Sequence, residues 1–330
     1  MQRDLSLEQD RAYIKYRMAR FGAFSNVMPV LSNEVDQKFS ERRGEYDLRA
    51  HEWASEMGLH MKGLAGSGVP VSVHNPMETE KATNPGFYTL LYDWPFPWTD
   101  FMLRQAQVAA LSCAPVIADD VPENKGYEYN IRGFARHNQL MIDLGRFGNP
   151  VVNEEPGYEM EGRTAKHDST ETNMRPWNSQ NADSLVSTFW GAATGGGYVM
   201  WGNYDTYQMD SPLPGIQRTE TPKRLRILHD VMMTLPYWEM KPSNDLVSGN
   251  EVVFDGEGFR SNYCLAKEGE AYLVFSECGG QMMLTLGEGE YALEQIDPKT
   301  GDRTGRGRVS GAEQSVNVTG EVQVLIARRA

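Results

Sequence analysis

The chain has 330 residues, with 32 Lys and Arg against 45 Asp and Glu for a formal net charge of −13, and is 40% hydrophobic, 10% aromatic and 23% charged. This composition belongs to a globular protein long enough for two domains, and it excludes collagen, wholesale disorder and a disulfide-stapled miniprotein. The negative excess disfavours nucleic acid and anionic lipid as partners. No stretch reaches the roughly 18 apolar residues of a membrane span, since the best candidate, 108–118, contains Ser112 and Pro115.

In chain order, the polar and acidic first ten residues carry no apolar core followed by a cleavage site, so no export signal is read there. Leu7, Tyr13, Ile14, Arg17, Met18 and Phe21 predict one face of a helix ended by Gly22. The apolar run 27–31 then predicts a strand ending in Ser32-Asn33-Glu34. Further strand candidates are 69–73 ending at His74, 99–103 ending near Gln105, 150–152 ending at Asn153-Glu154-Glu155, and 198–201 ending at Gly202-Asn203. A helix over 221–238, with Pro222 at its start, follows. Strands alternating with helices predict βα units, and functional side chains at strand carboxyl ends predict an α/β fold of the (β/α)8 TIM-barrel class. Too few residues precede the first strand for three more units of about 30 residues each, so the barrel is expected to be incomplete, its front absent or supplied by another chain.

After Asn244 the pattern changes to short strands at 251–254, 271–275, 282–286, 291–296, 315–318 and 321–327, separated by turn clusters. The expected division is a barrel domain over 1–245 and an antiparallel β-sandwich over 246–330. Arg303, Arg306 and Arg308 lie among glycines and read as a solvated loop. The three cysteines, Cys113, Cys264 and Cys278, show no metal-ligand spacing, so no zinc site or disulfide framework is indicated, and at most Cys264 and Cys278 pair.

Two strand ends carry a carboxylate in a suggestive setting, Glu34 and the Glu154-Glu155 pair. Glycoside hydrolysis needs two carboxyl groups, one protonated to assist the leaving oxygen and one ionised to attack the anomeric carbon or activate water. A barrel brings distant strand ends to one mouth, and a carboxyl separation of about 5–5.5 Å would mean retention of configuration. Successive strand residues point to opposite sides, so Glu154 and Glu155 compete for the second role. The bland reading of either strand end is a surface charge or a helix-cap neighbour. Among the nearby aromatics, Trp201 offers the better platform for a sugar ring, Tyr158 follows the Pro156-Gly157 turn and could fold back over the site, and Trp190 is expected to fill core. His74 either binds a sugar hydroxyl or makes a structural hydrogen bond. Gly195-Gly196-Gly197 precedes a strand, so close packing or a turn is expected of it rather than phosphate binding. Serine-hydrolase, P-loop, dinucleotide-binding and HExxH patterns are absent.

The segments 13–34, Val73-His74, Trp98-Thr99-Asp100-Phe101 with Gln105, 150–159, and Gly195-Gly196-Gly197-Tyr198 before Trp201-Gly202 occur in an order that resembles the apiosidase-like glycoside hydrolases of clan A. The segments 263–266, 271–275 and 297–301 resemble the β-sandwich, named for collagen binding, that follows the barrel in that family. The resemblance implies a retaining O-glycoside hydrolase acting on plant or algal oligosaccharide or polysaccharide, without metal or cofactor. It assigns Glu34 as acid/base, Glu155 as nucleophile, and Asn33, His74 and Trp201 as substrate contacts, to which the turn at Pro156-Gly157 adds Tyr158. Numbering the first visible strand as the barrel's fourth fits the family's order and makes the observed strands 4–8. The family's members are usually exported, which would place the protein outside the cytoplasm. A second reading, of a different class, is a non-catalytic carbohydrate-binding or structural remnant of such an enzyme.

Overall fold

The computed structural model describes residues 6–33, 35, 48–66, 68–75, 96–104, 133–156, 158–159, 179–180, 182–203, 220–249, 251–254 and 257–330. They fall into two units, the first drawn from 1–106 and 144–154 and the second from 107–143 and 155–330.

In the first unit, Ser6 starts helix α1 (Leu7–Phe21) with a capping box: its hydroxyl accepts from Gln9 N, and Gln9 Oε1 accepts from Ser6 N at 2.8 Å. The buried row of α1 is Asp10, Ile14 and Met18. This is narrower than the predicted face, for Leu7, Tyr13 and Phe21 are exposed. The difference comes from Asp10, which is drawn inward to accept the indole N–H of Trp53 at 2.8 Å, while Arg17 lies over the Tyr13 and Phe21 rings outside. Helix α2 (Leu48–Leu64) supplies Trp53, Ala54, Met57 and Met61 to the same core. Gly58 is obligatory there, because a Cβ would lie 1.9 Å from Trp98 Cε2.

Four extended segments of this unit run parallel. Val30 bridges Ser72, strand β1 (His74–Asn75) pairs with β2 (Met102–Arg104), and β2 pairs with β3 (Val151–Asn153). Val71 and Val73 point into the core with α1 and α2, so alternation turns Ser72 and His74 to the other face. The register aligns His74 with Leu103, and Leu103 with Val152, which puts Glu154 on the face of His74 as well. Asp100 ties the ladder to α2: its carboxylate accepts from Val71 N at 2.8 Å and from Lys62 Nζ at 2.5 and 2.6 Å. The sequence-predicted strands at 27–31, 69–73, 99–103 and 150–152 thus correspond to these segments, each ending within two residues of the observed end.

In the second unit, α3 (Gly133–Gly145) and α4 (Ala182–Thr194) approach closely through the glycines after α4. A Cβ on Gly195 would meet the Asn138 carbonyl oxygen at 2.6 Å, and one on Gly197 the Met141 sulfur at 2.2 Å. Close packing is therefore what this glycine run does. Strand β4 (Tyr158–Glu159) lies between β5 (Ser179–Gln180) and β7 (Gly202–Asn203), parallel to both; β6 is Tyr198–Val199. Helix α5 (Thr221–Met232) is shorter than the predicted 221–238, since Pro236 cannot donate to a continuing helix and the chain turns into a 3-10 segment at Tyr237–Glu239.

The remaining strands are β8 (Lys241–Pro242), β9 (Val247–Ser248), the hairpin β10 (Val252–Phe254) and β11 (Glu257–Phe259), β12 (Asn262–Lys267), β13 (Ala271–Ser276), β14 (Gly280–Thr285), β15 (Glu290–Ile296), β16 (Arg303–Ser310), β17 (Glu313–Val318) and β18 (Gln323–Arg329). They form a six-stranded sheet in the order β16-β15-β18-β13-β12-β8 and a three-stranded sheet β17-β14-β9. Strand β13 is buried on both faces. Ala271, Leu273 and Phe275 pack with Leu185, Phe189 and Trp190 of α4 and with Leu228 and Val231 of α5. Tyr272 and Val274 face Met282, Leu284 and Val316 of the smaller sheet. Trp190 fills core as expected.

Two expectations are corrected. Arg303, Arg306 and Arg308 lie not in a loop but on the edge strand β16, where Arg303 and Arg308 are exposed and Arg306 is half-buried. Its glycines mark a bulge: Leu293 pairs with Gly307 and Glu294 with Gly305, leaving Arg306 as the extra residue, and Gly307 has φ +88°. Cys264 and Cys278 do not pair, as Cys264 is a free buried thiol and Cys278 is disulfide-bonded. The register sets Cys264 opposite Val274. Cys278 is four residues further on, roughly 13 Å along an extended chain, beyond the reach of a disulfide.

Candidate functional site

The carboxyl ends of the parallel ladder in the first unit carry one side-chain constellation. Leu31 N donates to Ser72 O at 2.9 Å and His74 N to Ser32 O at 3.1 Å, which places Asn33 beside His74. The Asn33 Oδ1 is hydrogen-bonded to His74 Nδ1. On the other side of the ring, His74 Nε2 lies 2.8 Å from Glu154 Oε1. That approach meets the distance of an ion pair but not the directionality of a hydrogen bond. An amide oxygen can only accept, so with Oδ1 facing it Nδ1 carries hydrogen, and Nε2 is the nitrogen presented to the carboxyl group. His74 is 3% exposed and the Glu154 side chain 17%. A buried imidazole therefore links the residue that precedes Glu34 to the residue that precedes Glu155.

Glu34 lies outside the described residues, so its distance from any partner is not part of this geometry. Glu155 is described and half-buried. The backbone of Tyr158 pairs with Ser179 and Gly202, while its side chain lies outside the described residues. Trp201, half-buried, packs on the apolar cluster around α4 and donates its indole N–H to Glu159 Oε2 at 2.8 Å. The sequence singled out Asn33 and His74 separately, as substrate contacts, and pointed neither to their mutual hydrogen bond nor to two acidic partners. Glu154 carried a signal, because register alone predicts it on the face of His74. Glu159 carried none beyond its place one residue after Tyr158.

Among the described residues no cluster of three or more His, Cys, Asp or Glu could hold a metal ion, and no helix is long and apolar enough to cross a membrane.

No family model matches the sequence, and neither does any curated protein. The fold, however, is shared with glycoside hydrolases of known structure. A chain described as a glycoside hydrolase superposes with a TM-score of 0.71 at 15% identity, covering 99% of this chain and 70% of that one. A glycoside hydrolase family 5 protein from Bacteroides vulgatus ATCC 8482 gives 0.69 at 16% identity, covering 98% and 67%. The GH51 arabinofuranosidase from Xanthomonas axonopodis pv. citri gives 0.53 at 10% identity, covering 99% and 74%. At these identities the likeness establishes a fold of mixed helices and sheets common to these enzymes, of which this chain spans about two thirds to three quarters.

Proposed function

We propose that the chain is the catalytic part of a retaining O-glycoside hydrolase acting on plant or algal polysaccharide. In this reading residues 1–245 supply strands 4–8 of a (β/α)8 barrel and 246–330 a β-sandwich. Glu34 is the acid/base and Glu155 the nucleophile, with Asn33, His74, Tyr158 and Trp201 contacting sugar. The observation that carries it is the buried His74 linking Asn33 and Glu154 at the carboxyl ends of parallel strands, the neighbours in sequence of both proposed carboxylates. The fold shared with glycoside hydrolases supports the same reading.

Glu34 would protonate the glycosidic oxygen as the Glu155 carboxylate attacks the anomeric carbon, expelling the alcohol and leaving a glycosyl ester. Water, deprotonated by the Glu34 carboxylate, then attacks that carbon and returns Glu155 as the leaving carboxylate. A second assignment within this mechanism is favoured by the register: Glu154 shares the face of His74 and would then be the nucleophile, with Glu155 beside it.

Reducing-sugar release from a panel of plant and algal polysaccharides tests the proposal on the full-length protein. Glu155→Gln is expected to lower kcat by about a thousandfold or more while leaving the fold intact. If Glu154→Gln does this and Glu155→Gln does not, the nucleophile is Glu154. If the parent protein hydrolyses a panel member and neither variant loses activity, neither glutamate is the nucleophile and the assignment fails; if nothing in the panel responds, the non-catalytic carbohydrate-binding reading replaces this one.

A further inference from the structure

Glu159 is a carboxyl group with no exposed surface, on a strand too short to require it. Burying a carboxyl group is costly unless strong hydrogen bonds offset the loss of water, and a leucine would fill similar space without that cost. Its Oε2 accepts from Trp201 Nε1 at 2.8 Å. The backbone explains why the two meet. Glu159 pairs in register with Asn203, and Trp201, two residues earlier, lies on the same side of its strand as Asn203. Trp201 is thus the diagonal neighbour of Glu159 across the β4–β7 pair, at a separation that long side chains span.

The indole is held at two places. The residue packs against the apolar cluster that includes Leu185, Phe189 and Trp190, and its N–H is engaged by the carboxyl group, while the residue as a whole is only half-buried. A half-buried tryptophan with packing alone can turn about its side-chain torsions. A hydrogen bond to a buried acceptor removes that freedom, most strongly when the acceptor is ionised.

We propose that Glu159 is a positioning residue, orienting the Trp201 ring as the stacking surface for a sugar. This rests on the glycoside hydrolase reading, yet the positioning itself can be measured without any substrate. The ring would gain affinity by being held ready before the sugar arrives.

The test uses 15N-indole NMR of the full chain, with the Trp201 resonance identified by its loss in Trp201→Phe. In Glu159→Leu the Trp201 N–H is expected to move and to exchange with solvent at least about tenfold faster, and in Glu159→Gln, which keeps an acceptor oxygen, to stay near its original position. On the polysaccharide that responds best, Glu159→Leu is expected to raise KM about tenfold with kcat changed less than about twofold, and the Gln variant to restore KM. Combining Glu159→Leu with Trp201→Phe should add nothing further to KM, because both act through one ring. An unmoved indole resonance in Glu159→Leu overturns the proposal, as does a moved resonance with unchanged binding. Should Glu159→Leu fail to fold, Glu159→Ala takes its place in both measurements: a moved indole resonance with a raised KM supports the role, and either one left unchanged refutes it. Absence of hydrolysis in the parent protein refutes the enzymatic reading, whereas the indole arm reports on Glu159 in either case.

Discussion

Glu277 makes the stability of the second unit depend on pH in a direction opposite to the usual carboxylate. Alternation after Ala271, Leu273 and Phe275 turns it toward α4, where it is completely buried. Burial pushes its carboxyl group from 4.5 up to about 8, tempered by the nearby Ser187 hydroxyl, although neither carboxyl oxygen meets hydrogen-bond geometry. Between these values the native state holds a proton that the unfolded chain has released, so stability falls as pH rises. The full effect is present below pH 4.5 and is lost as pH passes about 8. At about 1.4 kcal/mol per pH unit the span corresponds to about 5 kcal/mol, an upper bound and a large part of the 5–15 kcal/mol typical of a domain. Urea midpoints of the parent protein and Glu277→Gln, measured from pH 4 to 9, isolate this group, because every other titration cancels in the difference. The variant should match the parent near pH 4, gain on it steadily through pH 5 to 8, and hold a constant advantage above. A difference that does not vary with pH, or a variant less stable than the parent at pH 8.5, would refute the reasoning.

Replacing Gly58 by Ala in the first unit should destabilise by about 2 kcal/mol or more, because the added methyl meets the buried Trp98 ring and overpacking outweighs the ~1 kcal/mol gained in helix propensity; denaturant midpoints check this. Gly195→Ala should cost more than Gly197→Ala, since the first meets a backbone carbonyl and the second a methionine side chain that can move; thermal melts of the two variants rank them. The Cys264 thiol, pushed up to about 12 by burial first and by nearby Asp245 and Glu268 second, should resist a disulfide reagent at pH 8 until denaturant is added. Labelling of Cys264 in the native protein would contradict its burial between the sheets.

The parallel strands were legible because each is an apolar run ending in polar residues, a pattern that needs no partner to be seen. The antiparallel strands were legible from alternation and turn clusters, except where glycine misled: the bulge in β16 reads as a loop until Gly307 is paired with Leu293. His74 and Asn33 announced themselves as polar residues at strand ends. The dependence of His74 on Glu154 was half visible, since alternation made Glu154 and Glu155 rivals, but only the register between β1, β2 and β3 aligns Glu154 with the imidazole.

The sequence by itself determined the order of elements, the apolar faces and the carboxylates available for chemistry, because these follow from local periodicity and side-chain type. Tertiary structure alone decided which polar groups meet: Asp10 with Trp53, Glu159 with Trp201, His74 between Asn33 and Glu154, and Glu277 sealed beneath α4. Those contacts join residues up to 80 positions apart or bury a carboxyl group away from water, and neither long-range registry nor the loss of water is written in any local stretch of chain.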